Sequence, residues 1–178
     1  MRRAETSAYE RFYPVEGPGN GAVSIKRASY VPPPMFSPSD GDVRAILSRA
    51  RTIAVVGLSD KPDRDSNEVA RYLIAQGYRI VPVNPMLPEV LGQRSYPTLA
   101  AIPADLRIDI VDVFRRSEQV PPVADDAIAR GAPVLWMQLG VEHAGAAEKA
   151  RAAGITVLEN RCIMVDHRRL GIPPVLAG

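Results

Sequence analysis

The chain has 178 residues and is 46% hydrophobic, enough for one domain with a proper core and a short appendage. Its 22 basic and 20 acidic residues leave a formal charge of +2, a balance that favours neither a nucleic-acid partner nor a membrane surface. The single cysteine, Cys162, excludes an intramolecular disulfide and a multi-cysteine zinc site and points to a reducing compartment, by default the cytoplasm.

The opening stretch "MRRAETSAYERFY" lacks the apolar segment of about 7 to 15 residues that a signal peptide needs. No run approaches the roughly 18 apolar residues of a membrane span. Residues 1–38 are rich in Gly, Pro and Ser and have no sustained period, so they are expected to form an irregular or partly disordered extension. Its aromatics, Phe12, Tyr13, Tyr30 and Phe36, would let it lie across the domain or a neighbouring subunit.

From Ser39 the pattern is regular and defines a domain over residues 39–178. A short helix is predicted over Asp42 to Ala50, followed by a buried strand at Ile53 to Val56. The next helix runs from Glu68 to Gln76, with Asp65 and Glu68 spaced as a capping box and Gly77 as the stop. "YRIVPVNP", "IDIVDVF", "PVLWMQLG" and "ITVLEN" supply four more strands. "QVPPVADDAIARG" and "VEHAGAAEKARAAG" read as helices closed by Gly131 and Gly154. Alternation of helices with strands apolar on both faces predicts a Rossmann-like, doubly wound α/β fold: a mostly parallel five-stranded sheet with helices on both sides.

In such sheets ligands bind outside the carboxyl ends of the strands. The segments at those ends are "GLSDKPDRDS", Asn84-Pro85, Phe114 to Ser117, Gln138 to Gly140 and Asn160 to Cys162. They contain no carboxylate pair, metal cluster or serine beside a base, so no catalytic residue and no metal ligand is assigned. Their amides, hydroxyls and cations suit phosphate and amide groups. Against the dinucleotide fingerprint of three glycines, the first loop has Gly57, Ser59 and Pro62, and the second strand ends in Asn84 where NAD recognition uses an acid. Both departures disfavour NAD. An anion site remains in Ser59, Lys61, Arg64 and the amino end of the following helix.

Five motifs occur in order: Gly57-Leu58-Ser59-Asp60-Lys61-Pro62, Val83-Asn84-Pro85, Asp112-Val113-Phe114-Arg115-Arg116, Gln138-Leu139-Gly140-Val141, and Asn160-Arg161-Cys162 with Asp166-His167-Arg168-Arg169. Together they resemble the small bacterial and archaeal CoA-binding proteins, which are similar to the CoA-binding domain of succinyl-CoA synthetase alpha subunits. The resemblance spans roughly Val43 to Leu170. It implies a domain that binds coenzyme A or an acyl-CoA, without an established reaction. By position it implies that Gly57, Leu58, Ser59 and Lys61 cradle the nucleotide phosphates with Arg64 beside them. Asn84 and Pro85 would border the nucleotide, Phe114 and Arg115 the adjoining wall, and Met137, Gln138 and Leu139 the pantetheine path.

Beside these roles stand plainer ones. Lys61 and Arg64 fit a solvated loop, and Asn84 fits a turn before proline. Arg115 and Arg116 point to opposite faces of an extended chain, and Arg115 is assigned to the ligand side. Cys162 is a small buried hydrophobe or a functional thiol, its pKa lowered by Arg161, His167 and Arg168 if they lie close. His143 fits a capping or solvated role, His167 a surface or interface charge, and Trp136 the core. Partners expected are CoA or acyl-CoA, with a homo-oligomer or a partner subunit open. Two other functions compete: the CoA-binding component of an acyl-CoA synthetase or ligase with a separate partner chain, and a nicotinamide-dependent redox protein.

Overall fold

A computed structural model describes residues 37–176, so expectations for the amino-terminal extension lie almost wholly outside the described residues. Helix α1 spans Asp40–Arg49 and begins in a capping box. Asp42 N donates to Ser39 Oγ (3.2 Å), and Ser39 N donates to Asp42 Oδ2 (2.9 Å). Strand β1 (Thr52–Val56) follows, then α2 (Asp65–Ala75), β2 (Arg79–Val83), β5 (Ile110–Val113), α3 (Val120–Arg130), β6 (Val134–Met137), α4 (Ala144–Ala152), β7 (Thr156–Leu158) and α5 (Ile163–Arg169). Between β2 and β5 a small antiparallel hairpin pairs β3 (Glu89–Val90) with β4 (Gln93–Arg94).

The five long-range strands pair in parallel in the order β2-β1-β5-β6-β7. Side chains alternate across this sheet and divide the core in two. Ile53, Val55, Ile80, Ile110, Trp136 and Leu158 face α1, α2 and α5. Ala54, Val56, Val81, Val111, Leu135 and Val157 face α3 and α4, where Ala124, Ala127, Ala147 and Ala150 permit close approach. Trp136 is core as expected, and its Nε1 donates to Arg161 O at 2.8 Å. This is the doubly wound α/β architecture read from the sequence, with helices on both faces.

Local departures have local causes. The capping box expected at Asp65 and Glu68 is absent: the N-cap of α2 is Arg64, which makes no side-chain capping bond. The hairpin escapes periodicity because each strand has two residues, and its turn places Leu91 and Gly92 at φ 53° and 70°. Helix α5, seven residues long, is also too short to declare a period. Its "DHRR" segment is no free surface charge. Arg169 grips both Asp40 carboxylate oxygens (2.6 and 2.7 Å), Asp166 accepts from Arg161 and Arg169, and His167 is only 1% exposed. Among the described residues no helix is long and apolar enough to cross a membrane.

Candidate functional site

Strand order reverses between β1 and β5, so the crevice between their carboxyl ends is the topological switch point. There the two strand ends touch. Phe114 N donates to Val56 O (2.8 Å), and Gly57 turns away at φ +88°. A Cβ on Gly57 would stand 2.8 Å from the Phe114 carbonyl oxygen and 3.3 Å from Arg115 Cδ. Gly57 therefore owes its identity to both backbone angle and lack of room, and Arg115 lies over it. Arg116 instead pairs with Glu118 at the surface (3.3 Å), in keeping with the opposite faces expected of the two arginines.

The loop from Gly57 into α2 is held by its own side chains. Ser59 N donates to Ser66 Oγ (3.1 Å), Lys61 N to Ser59 Oγ (3.2 Å), and Asn67 Nδ2 to Ser59 O (2.8 Å). Asn67 Oδ1 is buried with no donor. Lys61 and Arg64 are exposed and form no ion pair among the described residues. With no side-chain cap on Arg64, the first turn of α2 presents backbone N–H groups and the positive end of its dipole beside those two cations.

Asn84 ties this loop to the tip of β2. Its Nδ2 donates to Leu58 O (2.9 Å), and its Oδ1 accepts from Met86 N (2.9 Å). The side chain is thus a structural brace, and Pro85 beside it is exposed. Leu58 is fully buried, so only its backbone belongs to the loop surface. Met137 is also wholly buried, on the α3/α4 side, so its side chain adds no surface at the strand ends. Gln138, 4% exposed, and the half-buried Leu139 remain at the tip of β6.

Asp112 opens the third motif, but sequence reasoning did not single it out from its neighbours. It lies in β5 between Val55 and Trp136, fully buried, on the α1/α2/α5 side. Gln138 Nε2 donates to its Oδ1 (2.8 Å), while Oδ2 has no partner. Burial pushes the carboxyl up to about 7, against the smaller opposing effects of Gln138 and the Val113 backbone. The signal was present as an acid inside the otherwise apolar run "IVDV". Ser66 and Asn67 escaped because the Asp65/Glu68 spacing drew attention to a different cap.

Cys162 is 8% exposed and unpaired. Its flanks do not activate it, contrary to the expectation of a lowered pKa. Arg161 is committed to Asp166, Arg168 stacks over Tyr72, and His167 Nδ1 is bonded to the Tyr72 hydroxyl. Burial, assisted by Asp112 and Asp166, pushes the thiol up to about 11. His143 caps α4, its Nδ1 accepting from Ala146 N at 3.1 Å. At the opposite, amino end of the sheet, a groove of about 500 Å³ runs between Pro38, Ile46, Arg107 and Thr156, away from all these residues.

The parallel sheet with its switch-point loop defines a Rossmann-like α/β domain. The chain belongs to the CoA binding domain family, whose model matches residues 51–168. It is 45% identical over 133 residues to Uncharacterized protein YneT of Bacillus subtilis (strain 168), covering 75% of this chain and 97% of that protein. A hypothetical protein from Pyrococcus horikoshii OT3 is similar at 41% identity and TM-score 0.74, covering 78% of this chain and 96% of that one. The dinucleotide forming Acetyl-coenzyme A synthetase 1 of Ca. Korarchaeum cryptofilum shares the fold at 24% identity and TM-score 0.56. That likeness covers 64% of this chain and 26% of the synthetase.

Proposed function

We propose that the carboxyl edge of the sheet binds coenzyme A or an acyl-CoA without catalysing a reaction, in a carrier, sensor or regulatory role. The observation that carries this is the uncapped amino end of α2 with Lys61 and Arg64, which form no ion pair among the described residues, beside it, in a chain of the CoA binding domain family. Helix N–H groups and two exposed cations are what the phosphates of a nucleotide need. The nucleotide end sits at residues 57–64 and pantetheine runs past Phe114 and Arg115 toward Gln138 and Leu139. An unpaired buried cysteine supports the cytoplasm as the site of action.

Thermal stability with CoA, dephospho-CoA, acetyl-CoA, NAD, NADP and ADP tests the reading, since a ligand at 100 times its dissociation constant adds roughly 2.7 kcal/mol. CoA raises the midpoint, dephospho-CoA raises it less, and NAD leaves it unchanged. A rise with NAD or NADP alone makes the chain a nicotinamide protein instead. The double variant Lys61→Ala/Arg64→Ala loses CoA affinity by at least about tenfold, because each charge-assisted bond is worth about 1.5 to 3 kcal/mol. Unchanged affinity in that variant places the phosphates elsewhere.

A further inference from the structure

A buried carboxyl with one hydrogen-bond partner is costly in a strand whose other members, Ile110, Val111 and Val113, are apolar. Asp112 makes its one side-chain bond to Gln138, across from β5 to the tip of β6. We propose that Asp112 is a positioning residue: by accepting from Gln138 Nε2 it locks the amide so that Gln138 Oε1 is held as an acceptor for an amide N–H of a pantetheine arm. This rests on the CoA reading above and extends it to a residue that does not itself touch ligand.

The geometry is directional. A carboxamide has a donor end and an acceptor end, and an unconstrained Gln offers either by rotating. In the structure Nε2 is the end drawn into the sheet, donating to the fully buried Asp112 at 2.8 Å, and an ionised Asp112, which can only accept, fixes that orientation. Among the described residues no hydrogen bond is made to Oε1, and Oε1 is not one of the fully buried polar atoms left without a partner, so it keeps some exposure although Gln138 as a whole is only 4% exposed. Pantetheine carries amide N–H groups along its length, and nucleotides without the arm carry none there. The expected consequence is selectivity for the arm, with no effect on recognition of the nucleotide.

Calorimetric titration of the full chain with CoA and with pantetheine-free 3'-phospho-ADP tests this. Asp112→Leu, close in size and apolar as its neighbours are, frees the Gln138 amide and weakens CoA about five- to tenfold while leaving 3'-phospho-ADP unchanged. Asp112→Asn, whose amide can accept from Nε2 or donate to a turned Oε1, weakens CoA less than Asp112→Leu does. Gln138→Leu shows the same selective loss, and the double variant Asp112→Leu/Gln138→Leu loses no more than either single one. Wild-type CoA affinity in Asp112→Leu overturns the inference, as does equal loss of both ligands. A wild-type protein that binds neither ligand removes the CoA reading itself, and the inference with it.

Discussion

The backbone at Gly57 passes so near Phe114 that a Cβ there would lie 2.8 Å from the Phe114 carbonyl oxygen. Gly57→Ala must relieve that clash while holding φ near +88°, a conformation costing an L-residue about 1 to 2 kcal/mol before any crowding. Chemical denaturation is expected to show a loss of at least about 2 kcal/mol. Because the loop and the β1/β5 crevice move together, CoA affinity should fall with it. A variant of wild-type stability would mean that the two strand tips are not in close contact.

Asp112 makes stability depend on pH in a direction unusual for a carboxylate. Its folded pKa is raised from 3.8 to about 7, so between these values the native state holds a proton that the unfolded chain has released. The group's contribution is fully present below pH 4 and is lost as pH rises through 7. Asp112→Asn cannot lose that proton, so its stability relative to wild type should climb from pH 4 to pH 7 and level off above, by on the order of 4 kcal/mol. Urea midpoints across this range measure it, and a flat difference would show that Asp112 ionises without penalty.

His167 titrates with the opposite sign. Burial and Arg168 hold its pKa below the ordinary 6.5, and its Nε2 is buried without a partner while Nδ1 meets the Tyr72 hydroxyl. The unfolded chain therefore takes up a proton first as pH falls below 6.5, and native stability declines. In His167→Gln that decline is absent, so the stability gap between wild type and variant should shift steadily against wild type from pH 7 to pH 5. A constant gap would contradict a neutral buried imidazole.

Cys162 should be sluggish toward alkylation in the folded protein. With its pKa pushed from 9.0 to about 11, the thiolate fraction near neutral pH falls roughly 100-fold, and the sulfur has little exposure besides. Iodoacetamide labelling followed by mass spectrometry should be slow in buffer and fast in urea. Rapid labelling of the native chain would restore the functional-thiol reading, and a CoA-sized adduct on Cys162 after oxidation would establish it.

The alternation of apolar strands with helices was legible along the chain because period and composition are local properties. "TIAVV", "IVDV" and "VLWM" are buried on both faces of a parallel sheet, and Gly77, Gly131 and Gly154 mark helix ends through their positive φ. The motifs at the strand ends were legible too, as was the family they resemble. What each of those residues does was not. Leu58 stands within the same motif as Ser59, and Met137 directly precedes the motif that opens with Gln138, yet the alternation of the sheet and the turn at Gly57 send their side chains into the core.

Asn84 became a brace only once Leu58 and Met86 were folded against it, and Cys162 is left unactivated by its burial, with Arg161 bonded instead to Asp166 at 2.9 Å. The partnership of Asp112 with Gln138 joins residues 26 apart through neighbouring strands, a pairing that no spacing along the chain announces. By itself the sequence determined the class of fold and the edge of the sheet that carries the motifs. Which side chains stay free, which are spent on one another and which carboxyl is kept from water were decided by tertiary contact. Burial and long-range hydrogen bonds set both pKa and orientation, and neither exists until the strands are side by side.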